Sequence, residues 1–132
     1  MYLSIVTTSY NSANTINKFF LEIKKVTSEL NISDYEVIVV DDGSEDETVE
    51  ILKKIKKDFN NLKMIILSKN YGHHKALMTG LNESIGKFIF LLDSDLEENP
   101  NELKNLFEEI EEFDLVYGIQ KKRAAGFITN FF

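Results

Sequence analysis

Short apolar runs alternate with longer amphipathic stretches along nearly all of this chain. The apolar runs predict strands at residues 3–8, 36–40, 62–67 and 87–92, and a short fifth strand at 115–117. The amphipathic stretches predict helices at residues 14–30, 46–59, 74–84 and 101–112. A regular alternation of strand and helix is typical of right-handed βαβ units. The sequence therefore predicts an α/β fold with a mostly parallel central sheet.

Composition places the chain among globular proteins and excludes several kinds of function. Its 132 residues are 43% hydrophobic and 28% charged, which suits one domain with a packed core. The net charge of −7, without a dominant basic tract, argues against nucleic acid as a partner. The absence of cysteine excludes disulfides and thiolate metal ligands. No signal-peptide pattern and no apolar run of roughly 20 residues is found, so a cytoplasmic location is expected.

Polar residues collect directly after each of the four main predicted strands. The carboxyl ends of parallel strands share one edge of a sheet, and ligands bind outside that edge. Four clusters are therefore expected to meet there, at residues 8–11, 41–44, 68–74 and 93–95. One such cluster is compatible with an ordinary loop, whereas four at one edge indicate a binding site.

The segment Asp93-Ser94-Asp95 has the pattern of a divalent-metal site. In an extended chain alternate side chains point to the same face, so the two carboxylates are expected to converge. Hard oxygen ligands suit Mg2+ or Mn2+, and Mg2+ commonly binds one or two carboxylates together with substrate phosphates. The alternative is an acidic loop before the next helix, with Asn99-Pro100 as its N-cap and first-turn pair. The motif alone favours that alternative, and the neighbouring clusters favour the metal.

The other clusters contain residues that suit a nucleotide. Asp41 and Asp42 can accept hydrogen bonds from a base or a ribose, and the alternative for both is helix capping. Tyr10 can stack on a base or lie partly buried at its strand end. Gly72 allows the backbone to approach a ligand, and His73 can contact a phosphate or remain a surface residue at a helix start.

The last stretch, residues 119–132, forms a separate segment after a core at residues 1–118. It is basic and then apolar within an otherwise acidic chain. This pattern suits an anionic membrane surface or a lipid phosphate, and predicts a peripheral position at the inner face of the cell membrane. The alternatives are a frayed tail or the start of a helix whose partner is missing. The final Phe131-Phe132 pair suggests a shortened chain, and the apolar residues from Phe127 onward leave self-association as a homo-oligomer open.

Three motifs stand in chain order at the ends of predicted strands. They are Val-Thr-Thr-Ser-Tyr-Asn at 6–11, Val-Val-Asp-Asp-Gly-Ser-Glu-Asp at 39–46, and Asp-Ser-Asp at 93–95. Together they resemble the Pro-x-Tyr-Asn-Glu, Val-Asp-Asp-Gly-Ser-x-Asp and Asp-x-Asp motifs of the inverting GT-A glycosyltransferases of family 2. Residues 68–73, 95–100 and 116–123 look most like the polyprenyl-phosphate glycosyltransferases, the dolichyl-phosphate-mannose-synthase-like branch.

The resemblance implies a Rossmann-like GT-A core that is incomplete at its C-terminus. It implies transfer of a hexose from a UDP-, GDP- or dTDP-linked sugar to a polyprenyl phosphate or a glycan. The implied nucleotide-binding residues are Thr8, Tyr10, Asp41, Asp42, Asn70, Gly72, His73 and Asp93. Mg2+ or Mn2+ would be held by Asp93, Asp95 and Glu97, with Asp93 and Asp95 as catalytic carboxylates. Lys122 and Arg123 would meet an acceptor phosphate.

Some positions depart from the family pattern, and two other interpretations remain. Thr8 and Ser12 replace the usual Pro and Glu. Glu97 stands where the branch has Gln, and Gln120 where it has Arg. One alternative is a truncated remnant that binds a nucleotide sugar without turnover. The other is a phosphorylation-receiver domain, which is disfavoured because the first and third predicted strands end without a carboxylate.

Overall fold

The predicted alternation is present in the computed structural model, which describes residues 2–110 and residue 112. The eight elements are β1 (Leu3–Ser9), α1 (Ile16–Glu29), β2 (Tyr35–Asp41), α2 (Thr48–Asp58), β3 (Leu62–Ile66), α3 (His73–Glu83), β4 (Phe88–Leu91) and α4 (Glu102–Glu109). Each corresponds to a predicted element, with ends shifted by a few residues. The predicted fifth strand at 115–117 and the segment 119–132 lie outside the described residues.

The four strands form one parallel sheet in the order β3-β2-β1-β4. The chain moves outward from β1 to β2 and β3, and then returns through α3, which packs against β1 and β2. This return places β4 on the free side of β1. The winding therefore reverses between β1 and β4, and in open α/β sheets ligands bind at the carboxyl ends of the strands where such a reversal occurs.

Two apolar cores cover the sheet because successive side chains of a strand point to opposite faces. The larger core packs α1, α2 and α4 against one face and includes Phe19, Leu52 and Leu103. The smaller core lies beneath α3 and contains Val6, Ile38, Val40 and Ala76. Among the described residues, no helix has the length and apolarity needed to cross a membrane.

All four helices begin one or two residues from their predicted starts, and hydrogen bonds explain the difference at two of them. The helix predicted from residue 46 begins at Thr48, because Asp46 Oδ1 accepts hydrogen bonds from the backbone N–H and hydroxyl of Thr48. The helix predicted from residue 101 begins at Glu102. There Asn101 holds the N-cap position expected for Asn99, and Asn99 Oδ1 accepts a hydrogen bond from Asn101 N at 3.0 Å.

At the amino ends of the strands, a buried carboxylate ties the α3–β4 connection to the sheet. Glu36 is buried on β2, and its Oε1 accepts hydrogen bonds from Ser4 Oγ at 2.6 Å and Ile85 N at 3.0 Å. Ser4 Oγ in turn accepts a hydrogen bond from Gly86 N at 2.8 Å. Glu36 therefore anchors the segment through which the chain enters β4.

Replacing Glu36 with alanine is expected to destabilise the protein by about 2–3 kcal/mol, because the Ser4 hydroxyl and the Ile85 N–H lose their acceptor. Urea unfolding followed by circular dichroism measures this change. Glu36→Gln keeps an acceptor oxygen of the same reach and is the matched control, with an expected cost of about 1 kcal/mol. Equal losses for the two variants would contradict the anchoring role.

Candidate functional site

Two of the predicted clusters come together where the carboxyl ends of β1 and β4 lie side by side, a position that we call the β1–β4 crevice. Ser94, the middle residue of the Asp-x-Asp motif, is buried. Its hydroxyl donates to Thr8 O at 2.8 Å and lies 3.4 Å from Ser12 Oγ. Ser94 therefore links the turn after β4 to the end of β1 by hydrogen bonding. Of the two flanking residues, Asp93 is half-buried and Asp95 is exposed.

Asp93 and Asp95 supply the open carboxylate oxygens of this crevice. The Asp93 carboxylate accepts no hydrogen bond from the described residues, and Asp95 accepts one, from Glu97 N to Oδ1 at 2.9 Å. Two hard oxygen donors with free lone pairs match the ligand set of Mg2+ or Mn2+, which is completed by phosphate oxygens. The donor chemistry of these two residues is therefore compatible with a divalent cation.

The local backbone differs from the extended arrangement that the sequence predicts. β4 ends at Leu91, and Leu96 has a positive φ of 64°. The Asp95 side chain turns back onto Glu97 N, as in an Asx turn. Within residues 2–110, no three Asp, Glu, His or Cys side chains are grouped closely enough to hold a metal ion. The predicted three-carboxylate set of Asp93, Asp95 and Glu97 is therefore not assembled, and two carboxylates remain.

Asp41 lies at the end of β2, and its carboxylate accepts hydrogen bonds from other residues of the protein. It is 1% exposed. Its Oδ1 accepts hydrogen bonds from the hydroxyls of Ser9 at 2.9 Å and Ser44 at 2.6 Å, and its Oδ2 accepts one from Ser44 N at 2.9 Å. The carboxylate thus joins the end of β1 to the turn that follows β2.

Asp42 clamps the loop between β3 and α3. It is 3% exposed, and its two oxygens accept hydrogen bonds from Tyr71 N at 2.7 Å and Gly72 N at 3.0 Å. These N–H groups directly precede α3, where a carboxylate is favoured by the helix dipole. The same loop packs against Gly43, whose φ is +77°. Two of the predicted nucleotide residues, Asp42 and Gly72, are therefore in direct contact.

Thr8 and His73 are brought together from distant parts of the chain. Thr8 Oγ1 lies 3.0 Å from His73 Nδ1, which joins the end of β1 to the first turn of α3. Tyr10 is 49% exposed at the same edge, as a stacking residue must be. Asn70 is also exposed, in the loop that Asp42 holds. Lys122 and Arg123, the predicted acceptor-phosphate residues, lie outside the described part of the chain.

Asp46 makes contacts across this edge that sequence reasoning did not predict. Its Oδ2 accepts a hydrogen bond from Ala13 N at 3.1 Å, and its Oδ1 accepts two from Thr48. Desolvation acts to raise the pKa of Asp46, but the hydrogen bonds from Thr48 and Ala13 outweigh it and hold the pKa below its usual value. The spacing of Asp46 and Thr48, typical of an Asx turn, is the signal in the sequence that points to part of this arrangement.

Comparison with known proteins places the chain in a family. The model of glycosyl transferase family 2 matches residues 4–129. This chain belongs to that family. The predicted family and the GT-A α/β fold are thereby confirmed, and the receiver-domain interpretation is wrong.

Individual proteins named as transferases are similar over most of this chain. A Mycobacterium tuberculosis protein named as putative glycosyltransferases is 38% identical over 133 residues, covering 99% of this chain and 39% of the relative. The undecaprenyl-phosphate 4-deoxy-4-formamido-L-arabinose transferase of Proteus mirabilis is 33% identical over 121 residues, covering 91% and 37%. The chain thus spans about two fifths of the length of these relatives.

The fold is also similar to that of a solved structure. The crystal structure of S. aureus TarS 1-349 in complex with UDP-GlcNAc matches with a TM-score of 0.68 and 27% sequence identity. The match covers 96% of this chain and 37% of that chain. The described domain therefore corresponds to about a third of a larger structure that binds a nucleotide sugar.

Proposed function

We propose that this chain is the nucleotide-sugar-binding part of an inverting glycosyltransferase that transfers a hexose to a polyprenyl phosphate. The observation that carries the proposal is the crevice between β1 and β4. It joins Thr8 and Tyr10 to two carboxylates with open oxygens, Asp93 and Asp95. A base-binding end and a cation-binding end within one crevice suit a nucleotide diphosphate. The similarity to TarS, solved with UDP-GlcNAc, supports a nucleotide sugar as the donor.

The nucleoside would lie over the ends of β1 and β2. Tyr10 is exposed and can stack on the base. The Thr8 hydroxyl and His73 form a hydrogen-bonded pair that can turn toward the ribose or a phosphate. Asp41 and Asp42 belong to the proposed set because Asp41 Oδ2 and both Asp42 oxygens each accept a single protein hydrogen bond and can accept a second. Asn70 and Gly72 would line the same side through the loop that Asp42 holds.

Asp93 and Asp95 would hold Mg2+ or Mn2+ together with the oxygens of the diphosphate. A bound cation supplies charge neutralisation for the leaving diphosphate, which is the main electrostatic need of the transfer. In the present turn, Asp95 Oδ1 accepts a hydrogen bond from Glu97 N. Glu97 would become a third metal ligand only if this turn changed its conformation. The two carboxylates alone match the number that Mg2+ commonly takes beside phosphates.

We favour a polyprenyl phosphate as the acceptor because the Proteus mirabilis relative is named an undecaprenyl-phosphate transferase. A phosphate oxygen is already ionised, so this acceptor needs no general base. A glycan hydroxyl would need a carboxylate within hydrogen-bond reach of it. Lys122 and Arg123 would bind the acceptor phosphate, since cations pair strongly with phosphate. A bound lipid acceptor would place the enzyme at the membrane surface.

Isothermal titration of this chain with UDP, GDP and dTDP, each with and without Mn2+, tests the proposal. At least one nucleotide is expected to bind, and its affinity is expected to rise on addition of Mn2+. A folded sample that binds none of the three in the presence of Mn2+ would contradict the proposal. Transfer or hydrolysis of the matching sugar nucleotide then separates an active domain from a remnant that binds without turnover.

A further inference from the structure

The loop after β1 is held by a row of side chains from the start of α2. Three successive backbone N–H groups of this loop donate to three different side chains of that segment. The bonds run from Asn11 N to Ser44 Oγ at 2.9 Å, from Ser12 N to Thr48 Oγ1 at 2.8 Å, and from Ala13 N to Asp46 Oδ2 at 3.1 Å. We call this set of contacts the loop clasp.

The clasp is reciprocal, because the loop also returns a side chain to the α2 segment. Asn11 Oδ1 accepts hydrogen bonds from Glu45 N at 2.9 Å and Asp46 N at 3.3 Å. Asn11 adopts a positive φ of 50°, a conformation that Asn tolerates better than most residues. Backbone N–H groups of each segment therefore donate hydrogen bonds to side chains of the other segment.

Asp46 is the centre of the clasp because its carboxylate supports two of the three loop bonds. Oδ2 accepts the Ala13 N–H directly. Oδ1 accepts the Thr48 hydroxyl at 2.5 Å, and that hydroxyl oxygen in turn accepts the Ser12 N–H. An ionised carboxylate can accept all of these donors, whereas a neutral amide has a single acceptor oxygen.

We propose that Asp46 is a positioning residue that fixes the Tyr10 loop for nucleoside binding without touching the nucleotide itself. The inference rests on the proposed function. Tyr10 directly precedes Asn11, so the clasp begins at the next backbone N–H after the stacking residue. The Asp93 and Asp95 carboxylates accept no hydrogen bond from the clasp. Their turn contacts the clasp at Ser12 Oγ, 3.4 Å from Ser94 Oγ, but it is held independently by the shorter hydrogen bond from Ser94 Oγ to Thr8 O. Loss of the clasp therefore weakens contacts to the base and ribose and spares those to the diphosphate.

The test compares Asp46→Asn with Glu47→Gln, a neighbouring exposed residue that makes no capping bond with its side chain. Both substitutions remove one negative charge. In Asp46→Asn, amide hydrogen exchange at Ser12 and Ala13 is expected to speed up, and the affinity for the nucleotide that binds best is expected to fall by about tenfold. Affinity for pyrophosphate with Mn2+ should change by less than about twofold, and Glu47→Gln should match the original protein in all three measurements.

The exchange measurement keeps this inference separate from the proposed function. Unchanged exchange at Ala13, or unchanged nucleotide affinity despite faster exchange, would overturn the positioning role. An equal fall in nucleotide and pyrophosphate affinity would also overturn it, because the effect would then be a general loss of structure. If the original protein binds no nucleotide, the proposed function fails, and the positioning role fails with it even where faster exchange in Asp46→Asn shows that the clasp exists.

Discussion

Gly43→Ala is expected to destabilise the protein by about 3 kcal/mol, from roughly equal contributions of backbone strain and steric overlap. Gly43 has a φ of +77°, where a side chain is strained. A Cβ at this position would also lie 2.6 Å from Asn70 N and 2.6 Å from Lys69 C. Both neighbours are backbone atoms of the loop that Asp42 clamps, so neither can move without breaking the clamp. Urea unfolding measures the loss.

Gly72→Ala separates the two contributions to this loss. Gly72 also has a positive φ, of +100°, but an added Cβ there meets nothing within 4 Å. With ψ at 151°, Gly72 lies in a backbone region that is used almost only by glycine, so this variant should show strain alone, about 1–2 kcal/mol. If Gly43→Ala is no more destabilising than Gly72→Ala, the close approach of the Gly43 turn to the β3–α3 loop is not rigid in solution.

Asp95→Asn is expected to weaken nucleotide binding in the presence of Mn2+ by about 100-fold while leaving the fold intact. Loss of a residue that hydrogen-bonds to a metal ligand typically lowers metal affinity about 10- to 100-fold. Loss of a metal ligand itself should lower the affinity at least as much. Asp95 is exposed, and its one hydrogen bond within the described residues, to Glu97 N, is available to an Asn side chain. Titration with nucleotide at saturating Mn2+, beside an unfolding curve, measures both effects.

Glu108→Gln is the matched control for the charge change, because Glu108 is an exposed residue of α4. It should bind nucleotide as the original protein does. Affinity that is unchanged in Asp95→Asn would place the cation elsewhere. A loss of binding that is equally large without Mn2+ would show that Asp95 acts on the nucleotide without a metal.

Much of the fold was predictable because its signals are local. The apolar run before Asp41 has the continuous character of a strand buried on both faces, and it is β2 in the structure. The stripe that includes Phe19 and Ile23 predicts one buried face for α1, which packs into the larger core. Helix starts were less predictable, since Asp46 and Asn99 form turns before their helices where helix or cap positions were expected.

The candidate site was predictable in its location and less so in its details. The polar ends of β1 and β4 meet as predicted, through Ser94 and Thr8. The contact between Asp46 and Ala13 was missed because Ala13 lies on another loop, distant in the sequence. Glu97 was expected beside Asp93 and Asp95, but the turn that places these residues includes a positive φ at Leu96. Leucine rarely adopts a positive φ, so the sequence gives no signal for this turn.

The sequence by itself determined the α/β class, the family and the set of polar residues at the strand ends. These follow from the period of apolar residues and from short motifs, which are properties of neighbouring residues. Only the tertiary structure decided that β4 lies beside β1, and which carboxylates are already engaged. Asp41 and Asp42 are buried among protein donors, whereas Asp93 keeps its oxygens open to a ligand. A carboxylate's availability depends on the donors that distant segments bring to it, and such partners are set when the chain packs.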